Sequence, residues 1–517
     1  MKTENQNNGL SPNESGSENN LNHSKEPIQL VTYADSKEEH SDAIQLVTRD
    51  DSKEEHSDSA QTDTMTQDNS SDHLDDDKIP AGPSILIAKF FLTFYTIIRI
   101  FHEIFIYDEV KGIYLRMNDD PSGIIRQYIS YELYNLCKPK NEKDALIWLD
   151  TWIPESIEII EHVHLVNFMD AVYDLSTGKI IEHNSEYYFF YGIPVNICEC
   201  PPIGDMQFPT PVFDSFIENI SKGDERLKCL IYQVMAYAIA NCRSMKCIFF
   251  LYGPSNTGKS VFIELLRSML GRRQCSSIPL RSLKGEYRTS GLKNSRLNAF
   301  GETDILNDKD LPLLKALTGG DYINANVKYQ QPVEFQNKAM LLFSTNRVDS
   351  FEDITPGDAF WQRMVIIPFE NSLPVDRQDP NLLDKLKAEI PGILSKYVLP
   401  ALQQLYMNGW KLYNQKYIAD VRNRCMRQQS TVCDFVENVC ILDANASISR
   451  PLLYDCYICY CTGIGANPLG RQTFYERLET FFPAVSTKRE RIEDNSNPQY
   501  VFTGITALDK LIEKVKK

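Results

Sequence analysis

Apolar and polar positions fall into distinct regimes along the chain, and those regimes set the expected architecture. Residues 1–80 are rich in Asn, Ser, Asp and Glu and poor in aromatics. Such a stretch buries too little surface to offset the entropy of ordering it, so disorder is expected there. From Pro80 to about Pro209 aromatic and aliphatic residues become dense, which reads as a compact α+β domain: a helical stretch first, then mixed segments around Asn167–Ile197. Its most apolar window, Ile85–Phe105, is interrupted by Lys89, Arg99 and His102. Those interruptions predict a packed or amphipathic helix rather than a membrane span.

The rhythm changes again after residue 210. Four short apolar runs, Cys247–Tyr252, Leu297–Gly301, Ala339–Phe343 and Met364–Pro368, are separated by helical patterns. Runs of that length without polar alternation suit strands covered on both faces, as in a parallel α/β sheet. Residues 376–430 read as a helical lid or linker, and 431–517 as a small terminal domain. The expected division is therefore 1–80, 81–210, 211–375, 376–430 and 431–517.

Charge bears on the partner. The net charge of −16 argues against nucleic acid until it is located: residues 1–80 hold 19 Asp/Glu against 6 Lys/Arg, leaving only −3 for everything after them. The folded part is nearly neutral, so local basic patches matter more than the total. Within the acidic tail Ile28–Ala43 (IQLVTYADSKEEHSDA) recurs as Ile44–Ser59 (IQLVTRDDSKEEHSDS). Duplication within a tolerant tail accounts for the repeat, and a short docking motif is the sharper reading. The 13 cysteines are scattered and the first ten residues are polar. Reduced thiols in an intracellular protein are expected, cytoplasmic in a bacterium or at the replication site of a viral host.

The chemistry concentrates at one turn. The run ending at Tyr252 leads directly into Gly253-Pro254-Ser255-Asn256-Thr257-Gly258-Lys259-Ser260, followed by apolar residues at 261, 262, 265, 266, 269 and 270 in helical spacing and then Gly271. Strand, GxxxxGKS and helix in that order are what a phosphate-binding loop requires. The glycines let backbone amides turn inward and the helix start adds positive potential. Lys259 is expected to bridge the β- and γ-phosphates of ATP and Ser260 to ligate Mg²⁺. Hydrolysis also needs an acid, and Glu302 follows the second run, with Asp304 in reserve; a carboxylate at a strand's C-terminal end lies beside such a loop. Asn346 ends the third run, where an amide can hold the attacking water or sense the γ-phosphate.

Taken in order these pieces resemble the superfamily 3 helicases, in the branch shared by phage and plasmid replication proteins and the poxvirus primase-helicase. LNAFGETD at 297–304 resembles the family's Walker B segment, LLKALTGGDYINANVKYQQPVEF at 313–335 its B-prime hairpin, FSTNRV at 343–348 its motif C, and DAFWQRMVIIPF at 358–369 its arginine-finger segment. VNFMDAVYDLSTGKIIEHNSEYYFF at 166–190 is similar to the domain that precedes the helicase, and 431–503 to its C-terminal winged-helix region. The resemblance implies an AAA+-like P-loop core working as a homo-oligomer, a hexameric ring, with Arg363 reaching a neighbour's γ-phosphate. It implies too that a hairpin from Gly319 to Gln331 enters the central channel, where Lys328 neutralises phosphate and Tyr329 packs against sugar or base of single-stranded DNA. The chain departs from the pattern at Asn326 and Gln362, where many relatives carry arginine, which leaves more to Lys328 and Arg363. No primase domain is evident, so a primase or polymerase would be a separate partner.

Two further groupings bear on chemistry. Cys456, Cys459 and Cys461, with Cys433 and Cys440 upstream, invite a zinc reading, but paired CxxC or HxxxH spacing is missing and 452–461 reads as an apolar helix, so no zinc is expected. A helix opening at Arg471, followed by Lys488, Arg489 and Arg491 and a strand at Tyr500–Phe502, fits a winged-helix contact to DNA through Arg471 and Lys488. The expectation is a DNA helicase or translocase driven by ATP and Mg²⁺, without a membrane. The alternatives are an ATPase that loads or remodels DNA, and an origin-binding protein whose assembly ATP controls.

Overall fold

A computed structural model of the chain describes residues 82–155, 161–285, 287–301, 311–326, 332–346, 359–427, 430–490 and 498–516. The expected disorder and the duplication in 1–80 fall outside them. The apolar window at 85–105 is not one helix. Helix α1 (Pro83–Phe94) ends at Tyr95, and the chain continues into strands β1 (Ile97–Ile100), β2 (Glu103–Asp108) and β3 (Ile113–Arg116), an antiparallel meander. The physical reason is the run Thr96-Ile97-Ile98: branching at Cβ restricts the side chain in a helix and suits a pleated surface. Phe101 and His102, both at positive φ, turn the chain between β1 and β2. Helices α2 (Pro121–Tyr128) and α3 (Pro139–Trp152) close this module over Ile87, Phe91, Ile104, Ile106 and Leu149.

Strands β4 (Leu165–Asn167), β5 (Val172–Asp174) and β6 (Lys179–Ile181) form a second small antiparallel sheet. Val166, Phe168, Tyr173 and Leu175 share one core with helices α4 (Pro211–Ser221) and α5 (Glu225–Ile239), so residues 165–197 pack with the region that follows them.

That region is built on a five-stranded parallel sheet. Its members are β7 (Ile248–Tyr252), which feeds helix α6 (Lys259–Leu270), then β8 (Cys275–Ser276), β9 (Leu297–Phe300), β12 (Met340–Thr345) and β13 (Met364–Pro368). The order is β13-β7-β12-β9-β8. All four apolar runs seen in the sequence are strands of this sheet; only the two-residue edge strand β8 carries no such run. Burial explains the continuous apolar character. Phe249, Leu251, Leu342, Val365 and Ile367 face one core, while Ile248, Phe250, Leu341, Phe343 and Ile366 face another. Period-two alternation is present, but both faces are dry, so both sets must be apolar.

The second face is covered by helix α7 (Leu311–Gly319), by a hairpin of β10 (Tyr322–Ala325) and β11 (Val333–Gln336), and by the short helix α8 (Ala359–Arg363). The first is covered by α5, α6 and a helical run of α9 (Leu382–Ala388), α10 (Ile390–Ile393), a π turn at Leu394–Val398 and α11 (Leu399–Met407). Helix α12 (Gln415–Arg427) packs on β13 and leads into the terminal module. There α13 (Thr431–Val439), strand β14 (Cys440–Ile441), strand β15 (Ser447–Ser449), α14 (Arg450–Ile464), α15 (Arg471–Phe481), the hairpin β16 (Ser486–Glu490) and β17 (Gln499–Thr503), β18 (Thr506–Ala507) and α16 (Asp509–Lys516) follow in order. Phe435, Leu453, Tyr457, Phe474, Leu478 and Phe502 form its core. Among the described residues no helix is long and apolar enough to cross a membrane.

Candidate functional site

The strand and the helix at 248–270 are each fixed by burial, so the residues between them must reverse direction within a short, tightly flanked turn. Gly253 sits at φ 151°, and a Cβ there would meet the Phe369 carbonyl oxygen at 1.9 Å; Gly258 sits at φ 92°, and its Cβ would meet the Phe216 ring at 2.8 Å. Both positions need glycine for space as well as for backbone freedom. Asn256 between them also takes the left-handed conformation, which Asn tolerates better than most residues. Pro254, Ser255 and Asn256 are exposed, Thr257 is buried, and its hydroxyl donates to the Pro254 carbonyl at 3.1 Å.

Lys259 opens α6 and is only 7% exposed. Its Nζ donates to the Gly253 carbonyl at 2.6 Å, the Pro254 carbonyl at 2.5 Å and the Thr257 hydroxyl at 3.3 Å. All three acceptors are neutral, so a buried ammonium stands here with no carboxylate on it among the described residues, and burial pushes its pKa below the ordinary lysine value. An anion at the turn would relieve that cost. Ser260, exposed, follows at the second helical position, within the first turn, whose backbone N–H groups have no intrahelical partner.

Sheet register brings a second element to the same place. β12 lies beside β7 with Thr345 opposite Tyr252, and the Gly253 N–H donates to the Thr345 carbonyl at 3.2 Å. Asn346 therefore leaves the sheet next to Gly253, exposed to solvent. β9 flanks β12 on its other side with Phe300 opposite Phe343, so the chain leaves β9 at that edge as well. Glu302 and Asp304, expected just beyond, lie outside the described residues, as do Lys328 and Tyr329, which fall between β10 and β11 in the sequence.

Arg363 is not near the turn of its own chain. It immediately precedes β13, whose Met364 pairs with Ile248 at the start of β7, whereas the turn follows the end of β7. Five strand residues at about 3.3 Å each separate the two by roughly 16 Å. The Arg363 guanidinium instead donates from Nη1 to the Lys315 carbonyl at 2.5 Å and the Thr318 hydroxyl at 2.6 Å, closing the C-terminal end of α7.

Sequence reasoning missed the strap that follows β13. The Phe369 N–H donates to the Tyr252 carbonyl at 2.6 Å and the Leu373 N–H to the Asn256 carbonyl at 2.9 Å. The Ser372 hydroxyl donates to the Ser255 carbonyl at 2.8 Å, and the Asn371 amide donates to the Asn219 carbonyl and side-chain oxygen at 3.1 and 2.7 Å. These bonds hold the rim of the turn from outside. The only signal in the sequence is position, directly after a strand that must lie against β7.

In the terminal module Arg471 is exposed at the start of α15, its guanidinium 5.1 Å from the Tyr454 ring, and Lys488 is exposed on β16. Arg489 beside it lies 5.9 Å from the Tyr500 ring. Cys433, Cys456 and Cys461 are buried, and burial pushes the Cys433 and Cys456 thiols up to about 11. Among the described residues no three metal-ligating side chains converge.

Two family models match the chain. One, described as a family of unknown function (DUF5906), covers residues 251–362; the other, the RFX DNA-binding domain, covers residues 429–509. The chain is 22% identical over 222 residues to "Putative helicase L207/L206" of Acanthamoeba polyphaga mimivirus, a stretch that is 40% of this chain and 22% of that protein. It is 28% identical over 115 residues to "Uncharacterized mitochondrial protein ymf21" of Marchantia polymorpha, 21% of this chain and 62% of that one. The chain thus spans less than two thirds of the length of either relative. Among solved structures, the apo C-terminal region of NrS-1 is similar over 82% of this chain and 99% of that one, at 13% identity and a TM-score of 0.44. The first matched family segment therefore runs from the strand that carries the turn to the residue before Arg363, and the second takes in the terminal module up to the start of α16.

Proposed function

We propose that the chain is one subunit of a ring-shaped ATPase that moves along DNA, a helicase in the replication of a virus, phage or mobile element. The observation that carries this reading is Lys259, a buried ammonium held only by neutral acceptors at the C-terminal edge of a parallel sheet, where a helix begins and Asn346 emerges alongside. A triphosphate fits there because it supplies the negative charge that Lys259 lacks, on a turn whose close packing against Phe369 and Phe216 only glycine at 253 and 258 allows. In this P-loop reading Lys259 exchanges its carbonyl partners for the β- and γ-phosphates of ATP, and Ser260 with Glu302 holds Mg²⁺. Bound Mg²⁺ supplies the positive charge that offsets the phosphate oxygens. Asn346 orients the attacking water, and Gly253 to Thr257 wrap the phosphates.

The roughly 16 Å between Arg363 and its own loop supports a role across a subunit interface. In a hexamer the guanidinium would exchange the end of α7 for a neighbour's γ-phosphate. Since α7 leads directly into β10, that exchange would be felt in the β10–β11 pair, between whose strands the sequence carries Lys328 and Tyr329, the residues assigned to single-stranded DNA. The helix, two short strands, helix, helix, hairpin order of the terminal module and its match to a DNA-binding family model support a winged-helix contact through Arg471 and Lys488. Similarity to a mimivirus protein named as a helicase supports the class of activity.

The same terminal match favours a second reading, in which duplex binding comes first and ATP only controls assembly or loading. Strand displacement separates the two. A helicase displaces an oligonucleotide in the presence of ATP and Mg²⁺, and Lys328→Ala removes DNA stimulation while leaving basal hydrolysis. An origin-binding protein binds duplex without ATP and displaces nothing, which would overturn the first reading.

A further inference from the structure

Helix α8 ends at Arg363 and β13 begins at the next residue. A helix that stops so abruptly leaves its last carbonyls without intrahelical partners. One side chain meets two of them together with the first carbonyl of β13: Nη1 of Arg422, on α12, donates to the carbonyls of Trp361 at 3.1 Å, Gln362 at 3.2 Å and Met364 at 3.5 Å. These peptides lie on both sides of Arg363. Arg422 is itself well anchored, since its neighbours on α12, Val421 and Cys425, are buried in the same core as Phe360, Trp361, Met364 and Ile366. Two residues further along the helix, Arg424 reaches Glu370 at 3.2 Å, just beyond the other end of β13. Helix α12 therefore grips β13 at both ends. Of the two grips, the half-buried one on backbone carbonyls is the stronger, because the Arg424–Glu370 pair is exposed and screened.

We propose that Arg422 is the positioning residue for the arginine finger, fixing the backbone on either side of Arg363 so that its guanidinium is presented to the neighbouring subunit at a defined height. The inference rests on the reading that Arg363 acts in trans. In this role Arg422 acts through the backbone around Arg363. The three carbonyls converge on a single terminal nitrogen, Nη1, which the planar guanidinium holds at a fixed position, and a lysine ammonium on a flexible stem does this less well. The geometry therefore assigns Arg422 to the finger side of the interface, not to the loop side, although both lie in one chain.

That assignment is open to a complementation test with full-length chains. Arg422→Ala alone should bind a fluorescent ATP analogue normally and lose at least tenfold in kcat with little change in KM, against the roughly 10³–10⁵ an arginine finger contributes elsewhere. Mixed with Lys259→Ala chains, which keep the finger and lack the loop, it should regain hydrolysis; mixed with Arg363→Ala chains it should not. Arg422→Lys, retained in case the alanine variant folds poorly, should fall between wild type and alanine and sort into the same group. The proposal is overturned if Arg422→Ala hydrolyses ATP at the wild-type rate, or if it is rescued by Arg363→Ala chains, which would place its defect in the loop. If Lys259→Ala and Arg363→Ala chains fail to rescue each other, the trans finger itself is wrong and the positioning role goes with it, an outcome distinct from the other two.

Discussion

Gly253→Ala tests the geometry of the turn most sharply, because the obstacle is backbone. The added Cβ would lie 1.9 Å from the Phe369 carbonyl oxygen and 2.6 Å from its carbon. Reaching the 3.0 Å below which real Cβ contacts are essentially never found means opening the oxygen contact by about 1.1 Å. Phe369 cannot yield cheaply, since its N–H is bonded to the Tyr252 carbonyl and its ring is fully buried. The φ of 151° adds strain of about 1–3 kcal/mol for a residue with a side chain. The turn must therefore move by about an ångström, a misplacement that typically costs on the order of 10²-fold in rate. Steady-state ATP hydrolysis with Mg²⁺ should show kcat down by about that factor, with weaker binding of a fluorescent ATP analogue and a cooperative unfolding transition still present. Hydrolysis within twofold of wild type would refute the argument that this carbonyl and this glycine define the site.

At Gly258 the obstacle is a side chain, so the outcome should differ. Gly258→Ala should be impaired, and Phe216→Leu in the same chain should restore part of the activity by vacating the ring; no restoration would mean that the φ of 92° dominates. Arg296 is buried with its guanidinium 3.8 Å from the Tyr191 ring centre and a bond to the Ala240 carbonyl. Arg296→Ala should destabilise the chain by roughly 2–4 kcal/mol in urea titration, and a loss under about 1 would show that this buried cation contributes little. In the terminal module, Arg471→Ala with Lys488→Ala should weaken duplex binding at all sequences and make the slope of log K against log salt shallower by about 1.8, two phosphate contacts at about 0.9 each. An unchanged slope would remove both residues from the interface.

Much of the sheet was legible because largely apolar runs of five or six residues have few other homes. The loop was legible because GKS after such a run, followed by helical spacing, leaves little freedom in where Lys259 and Ser260 can lie. The window at 85–105 misled because hydrophobicity alone does not separate helix from strand; the branched residues at 96–98 decided it. Arg363 was singled out by resemblance alone, and its contact with the end of α7 depends on where α7 packs, which no local pattern specifies. The strap at 369–373 and the carbonyl cluster on Arg422 were illegible for the same reason. Each joins segments far apart in sequence through backbone groups, and backbone groups carry no residue signature.

The central claim is that the turn at 253–260 grips a triphosphate whose cleavage is coupled to DNA. Its most direct test is ATP hydrolysis by the purified full chain in Mg²⁺, with and without single-stranded DNA, beside Lys259→Ala. The account predicts hydrolysis that DNA accelerates in the wild-type chain and that is reduced by at least 10²-fold in the variant. Hydrolysis that survives the loss of Lys259, or a wild-type chain that consumes no ATP with or without DNA, would contradict it.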